Sequence, residues 1–190
     1  ILDYGVGNIA SLKGALQNLN YHVAVVNTES SLNKVDTIFL PGVGCFSYAM
    51  DNLKKKGMDV FLKKCFKNQD INVIGICLGM QILFEHSEEG DCEGLGLIEG
   101  QVKRFQGGEC HVGWDIVTPT QNDIIFENSG FYFNHSYYVE CATEVTYAVS
   151  NYQVNVPVIV KSNRFYGVQF HPEKSQNIGA SLLKTLIGEE

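Results

Sequence analysis

The sequence predicts an α/β fold in one domain, and three observations carry that prediction. Short apolar runs of strand length alternate in the first half with stretches whose apolar residues recur at helical spacing. That order gives parallel strands covered by helices. From Leu97 onward the pattern changes to strands and turns. At 190 residues, 45% of them hydrophobic and 18% charged, the chain can bury a full core as one unit spanning 1–190. The expected architecture is a mostly parallel central sheet with helices on both faces and a strand-rich second half.

The elements follow in order. The chain opens without methionine inside an apolar segment, so a first strand is expected there, with the native start slightly upstream. Asn8 is a plausible N-cap for a helix carrying Ile9, Leu12, Leu16 and Leu19. Strands are expected over Tyr21–Val26, Ile38–Leu40 and Val73–Ile76, with helical patterns around Ala49–Leu53, Met58–Phe66 and Met80–Phe84. Further strands are expected at Gln101–Phe105, Tyr147–Val149, Pro157–Val160 and Tyr166–Phe170. A last amphipathic helix carries Leu182, Leu183, Leu186 and Ile187. No internal repeat, low-complexity stretch or linker interrupts the series.

Composition excludes several functions. A net charge of −7 and a pI near 5.2 argue against nucleic acid or an anionic membrane as partner, because no basic patch offsets phosphate repulsion. The apolar runs are too short to span a bilayer, and no signal-like stretch opens the chain. The cysteines (Cys45, Cys65, Cys77, Cys92, Cys110, Cys141) form no C-x-x-C pair, which disfavours disulfide and zinc frameworks. Adjacent Cys110 and His111 point opposite ways on a strand and make a poor metal pair. No metal or other cofactor is expected, and free thiols suit a reducing cytoplasm.

The chemistry concentrates in three segments. Gly75-Ile76-Cys77-Leu78-Gly79 follows the apolar Val73-Ile74 and precedes a helical stretch, which is the pattern of a nucleophile elbow. The glycines leave room for a tight turn, and a cysteine at a helix N-terminus sits where unpaired N–H groups favour an anion. His171-Pro172-Glu173 ends a strand and offers a general base with a carboxylate to orient it. Pro41-Gly42-Val43-Gly44 follows another strand and exposes backbone amides. An amide from Val43 or Gly44, with that of Leu78, could hold an oxyanion, each donor being worth about 3 kcal/mol. All three segments follow strands directly, at the end of the sheet where active groups gather in open α/β folds.

These segments, Leu40-Pro41-Gly42-Val43-Gly44, Gly75 through Gln81 and His171-Pro172-Glu173, resemble class I (triad) glutamine amidotransferases. Asp3-Tyr4-Gly5-Val6-Gly7-Asn8, Gly94 through Ile98, His111-Val112-Gly113-Trp114 and Tyr132 through Tyr138 are similar to the branch serving imidazole glycerol phosphate synthesis. The resemblance runs from the first residues to the final helix. It implies a Cys77–His171–Glu173 triad, glutamine contacts at Gly44, Gln81, Ser136 and Tyr137, and Glu89 against the substrate's α-ammonium group. It also implies a heterodimer with a (β/α)₈ cyclase or synthase subunit that receives ammonia, with Trp114, Tyr132 and Lys174 at the interface. Two departures fall near that face: the branch usually has Met-Gly-Trp-Asn in place of Val112-Gly113-Trp114-Asp115, and valine at Asn134. A paralogue feeding a sugar-amidating synthase and a stand-alone cysteine hydrolase are the alternative readings.

Overall fold

A computed structural model describes residues 1–32, 35–121 and 129–188. Its central sheet is built from β1 (Thr37–Gly42), β2 (Asn72–Cys77), β6 (His111–Pro119), β7 (Ser129–His135), β9 (Thr146–Tyr152), β10 (Val154–Ser162) and β11 (Phe165–Val168), in the order β1-β2-β11-β10-β9-β6-β7. β1, β2 and β11 run parallel. The four pairings from β11 to β7 are antiparallel. The α/β class therefore holds, but parallel pairing is confined to one half and the sheet is mixed. The hairpin-connected strands of the second half supply the antiparallel half. A smaller sheet, β4-β3-β5-β8, joins β3 (His86–Ser87), β4 (Cys92–Glu93), β5 (Gln101–Arg104) and β8 (Tyr137–Glu140).

Two cores flank the sheet. On β1, Ile38 and Leu40 face one side and Phe39 the other, as the two-residue period of a strand requires. The first side packs on α2 (Phe46–Lys55) and α3 (Met58–Asn68) through Ala49, Met50, Leu53, Phe61 and Leu62. The second packs Ile74, Ile76 and Val168 on α1 (Ile9–Asn18) and α5 (Gln176–Ile187) through Leu12, Leu16, Leu182, Leu183 and Leu186. β2 is buried at all six positions, which explains its unbroken apolar run.

Three expectations need correction. Neither the opening residues nor Tyr21–Val26 form a strand: a single parallel bridge joins Val26 to Leu2, and the first residues otherwise lie along β1 through bonds such as Leu2 N–H to the Phe39 carbonyl, 2.9 Å. The helix after Cys77 is α4 (Leu78–Gln81), one turn long, and does not continue to Phe84. Past Gln81 the α-helical pattern gives way to i→i−3 bonds, from Leu83 and Phe84 N–H to the Met80 and Gln81 carbonyls, both 3.1 Å. The N–H groups of Leu95, Gly96 and Leu97 donate to the carbonyls of Ile82, Phe84 and Leu83 at 2.8, 3.0 and 2.9 Å, so no helix runs on past Phe84 through those carbonyls.

The elbow is the tightest point of the fold. A Cβ on Gly79 would overlap the Leu40 carbonyl oxygen at the end of β1, and one on Gly75 would overlap the Gly79 carbonyl. Gly14, midway along α1, has open space around its missing Cβ. Gly79→Ala should therefore destabilise by more than about 4 kcal/mol or prevent folding, whereas Gly14→Ala should stabilise by about 0.5–1 kcal/mol. Thermal or denaturant unfolding of both variants checks this, and a tolerated Gly79→Ala would contradict the close approach.

Candidate active site

Cys77 sits between β2 and α4 with φ 54° and ψ −111°, a conformation that costs a non-glycine residue about 1–3 kcal/mol. This turn lifts its side chain over the end of the sheet, into a cavity of about 270 Å³. β11 lies beside β2 in register, with Val168 opposite Ile76, so the segment after it reaches the same end. There the His171 N–H donates to the Tyr132 carbonyl at 2.9 Å, and the His171 carbonyl accepts from Lys174 N–H at 3.0 Å and Ser175 Oγ at 2.6 Å. These bonds fix the backbone of the candidate base.

The side chains meet as the sequence suggests. His171 interacts with Cys77 on one side of the shared cavity, and its Nδ1 lies 2.9 Å from Glu173 Oε1 on the other. Both the imidazole and the carboxylate are almost wholly withdrawn from solvent. Burial alone would lower the His171 pKa; the bonds and charges of Cys77 and Glu173 outweigh it and push it up to about 9. The imidazole thus holds a proton while facing the sulfur.

The remaining sequence-derived positions gather around this cavity. Val43, Gly44, Leu78, Gln81, Glu89, Ser136 and Tyr137 all line it. Gly44 has φ +106°, a backbone region that favours glycine, with open space on its Cβ side. Gln81 Nε2 donates to the Tyr137 carbonyl at 2.9 Å and to Gln169 Oε1 at 3.0 Å, so its own Oε1 is the atom left for other partners. Glu89 Oε2 accepts from Phe46 N–H at 3.0 Å and caps α2. Trp114 and Tyr132 stand opposite each other on β6 and β7 with ring centroids 6.3 Å apart, and Lys174 Nζ lies 5.7 Å from the Tyr132 ring centre. Trp114 is about half exposed, so it is not a core filler; Val112 and Ile116 project beside it from alternate positions of β6.

Sequence reasoning passed over three contributors. Gln169, fully buried, donates from Nε2 to Cys77 Sγ at 3.7 Å. A polar residue two positions before His171, on the same face of the expected strand Tyr166–Phe170, was the available signal. Tyr4 donates its hydroxyl proton to the Pro41 carbonyl at 2.7 Å and anchors the start of the Pro41–Gly44 loop from beneath. His135, also buried, borders the cavity.

The fold is of the α/β class, and its site sets a cysteine at a strand-to-helix turn beside a buried histidine and carboxylate. A family model, "Glutamine amidotransferase class-I", matches residues 1–186, and the chain belongs to that family. It is 41% identical over 189 residues to "Imidazole glycerol phosphate synthase subunit HisH" of Staphylococcus aureus (strain bovine RF122 / ET3-1), covering 98% of this chain and 95% of that protein. The protein of the same name from Leptospira borgpetersenii is 39% identical over 97% of this chain and 96% of its own. Among solved structures, a glutamine amidotransferase superposes with a TM-score of 0.78 at 17% identity, covering 97% of each chain. PurLQS from Thermotoga maritima gives 0.77 at 19% identity over 98% of this chain and 95% of its own. At those identities the superpositions speak for the fold.

The elevated His171 pKa depends on Cys77. In an NMR titration of the full chain, Cys77→Ala should lower it by about one pH unit or more, because burial then faces only Glu173. A pKa still near 9 in that variant would show that the sulfur is not its partner.

Proposed function

We propose that this chain is the glutaminase subunit of an imidazole glycerol phosphate synthase, hydrolysing glutamine and passing ammonia to a (β/α)₈ cyclase partner in the cytoplasm. The observation that carries the reading is the buried Cys77–His171–Glu173 arrangement at the strand ends. Full-length similarity to the HisH subunits supports the choice of acceptor.

The chemistry follows from the groups in place. Cys77 thiolate attacks the side-chain amide carbon of glutamine, and the oxygen, now negative, is held by the Leu78 N–H and an N–H of the Val43–Gly44 segment. The His171 imidazolium gives its proton to the departing nitrogen, leaving a γ-glutamyl thioester and ammonia. Neutral His171 then takes a proton from water, hydroxide attacks the thioester, and glutamate and the thiolate are regenerated. Glu173 keeps the ring in one tautomer and supports its positive charge. Gln169 donates to the sulfur, which lowers the cost of carrying negative charge in a buried place. Gln81, Glu89, Ser136 and Tyr137 hold the substrate.

Ammonia that reaches water is protonated and lost to synthesis, so a glutaminase of this kind needs an acceptor site on a protein seated over its cavity. The half-exposed apolar row Val112, Trp114 and Ile116 continues through Tyr132 to Lys174, which itself lines the cavity, and this surface suits such a partner. The peptide between Val43 and Gly44 is the piece through which the partner would act. Glycine lets it turn to present either its carbonyl or its N–H, and one missing oxyanion donor costs about a hundredfold in rate.

Cys77→Ala should abolish glutamine hydrolysis while leaving fold and partner binding intact, and the synthase reaction of the complex should continue with ammonium salts. Retained hydrolysis, with Cys45 or another thiol carrying a glutamine-analogue label, would overturn the assignment. Gly44→Val should suppress activation by the partner and acceptor ligand more than it weakens partner binding. Full turnover from the isolated chain, unchanged by any partner, would favour a stand-alone hydrolase.

A further inference from the structure

Behind the cavity wall lies a line of polar groups that the chemistry above does not use. His111 and His135 face each other in the β6–β7 register, with His111 Nδ1 3.1 Å from His135 Nε2. His135 Nδ1 lies 2.7 Å from the Tyr137 carbonyl, the same oxygen that accepts from Gln81. At the other end His111 Nε2 lies 3.0 Å from Asp115 Oδ2, which also accepts from Ser150 Oγ at 3.0 Å. The His111 ring is clamped between Phe133 and Tyr152, at centroid distances of 4.3 and 4.2 Å.

Donor and acceptor roles along this line are forced. A carbonyl only accepts, so His135 Nδ1 carries hydrogen, and in a neutral ring its Nε2 must then accept. His111 Nδ1 therefore donates to it. That leaves His111 Nε2 facing a carboxylate oxygen already engaged by a hydroxyl proton, and two lone pairs cannot form a bond. One further proton must lie between His111 Nε2 and Asp115 Oδ2. The same logic orients the far side: Gln81 must turn its amide nitrogen to Tyr137, which turns the Gln169 oxygen to Gln81 and the Gln169 nitrogen to Cys77 Sγ.

We propose that His135, held in its Nδ1–H form by His111 and Asp115, is a positioning residue that fixes the Tyr137 carbonyl and with it the Gln81 and Ser136–Tyr137 wall of the glutamine cavity. This rests on the glutaminase reading. His135 touches no reacting atom in that scheme; it acts through Tyr137 and Gln81. Burial, opposed by the Tyr137 bond and reinforced by the positive charge of His111 and His171, holds the His135 pKa down at about 3, so the ring stays neutral. The titratable groups around the line are Asp115 on β6, Tyr152 on β9 with Glu109 and Cys110 against its hydroxyl, and His171 beyond β11. Burial pushes His111 below its ordinary value while Asp115 opposes, so the shared proton is lost as pH rises. The wall should then slacken. In Asp115→Asn an amide N–H can donate to the neutral His111 Nε2, so no extra proton is needed.

Three measurements on the full chain test this. Histidine ring ¹⁵N–¹H spectra should show His135 neutral and Nδ1-protonated from about pH 5 to about pH 9. Saturable alkylation of Cys77 by a diazoketone analogue of glutamine gives a half-saturation concentration and a limiting rate. His135→Leu should raise the former about tenfold and leave the latter within about threefold, while His135→Asn, whose amide can present an N–H in place of Nδ1, restores much of the loss. The half-saturation of the unsubstituted chain should climb as pH is raised, and that of Asp115→Asn should stay flat. An Nε2-protonated His135, parallel pH profiles for the two proteins, or a His135→Leu effect on the limiting rate alone would each overturn the proposal. If His135→Leu does not fold, the tautomer and the Asp115→Asn profile decide. Labelling that never saturates would instead sink the glutaminase reading, while the tautomer still reports whether the line of bonds exists.

Discussion

The rest of the structure depends on the contact between the elbow and the end of β1, where the Gly79 backbone lies against the Leu40 carbonyl with no space for a side chain. That contact lets β2 turn within one residue into α4, and the turn forces Cys77 to φ 54° and ψ −111°. A penalty of about 1–3 kcal/mol for that conformation is tolerable only because β2 is buried at every position and paired on both edges, by β1 and β11. The same pairing brings His171 to the sulfur. Fold and site are thus one constraint: the strand that strains Cys77 also aligns His171.

Two buried histidines in this cavity show how local chemistry divides roles. His171 faces a sulfur and a carboxylate, and these partners raise its pKa to about 9 despite burial. His135 faces a carbonyl, another imidazole and the positive charge of His171, and its pKa falls to about 3. Depth is similar in both cases, so the partners decide. One ring holds a proton it can deliver; the other keeps a fixed pattern of one donor and one acceptor and can serve as scaffold.

Much of this was legible in the sequence because it is written in short segments. The elbow glycines, the His-Pro-Glu segment and the Pro-Gly-Val-Gly loop each encode a local geometry, and strand-end placement follows from alternation alone. The helices around Ala49–Leu53 and Met58–Phe66 were visible for the same reason, since one face of each is apolar. What was not legible depends on distant segments. After one turn of α4 the Leu83 and Phe84 N–H groups shift to i→i−3 carbonyls, and nothing in Met80–Phe84 itself announces that. Tyr21–Val26 has strand composition, yet pairs at one bridge. The roles of Gln169, Tyr4 and His135 exist only through partners far along the chain, so their residue types alone point to no site.

The central claim is that Cys77, set in this strained turn beside a protonated His171, carries the acyl group of glutamine. The most direct measurement is acid quenching of the chain with its synthase partner during turnover of glutamine, followed by mass spectrometry of the peptide containing Cys77. A γ-glutamyl adduct on Cys77 should form on glutamine addition and be absent from Cys77→Ala. Steady turnover of glutamine with no adduct on Cys77 under any quench, or an adduct on a different cysteine, would contradict it.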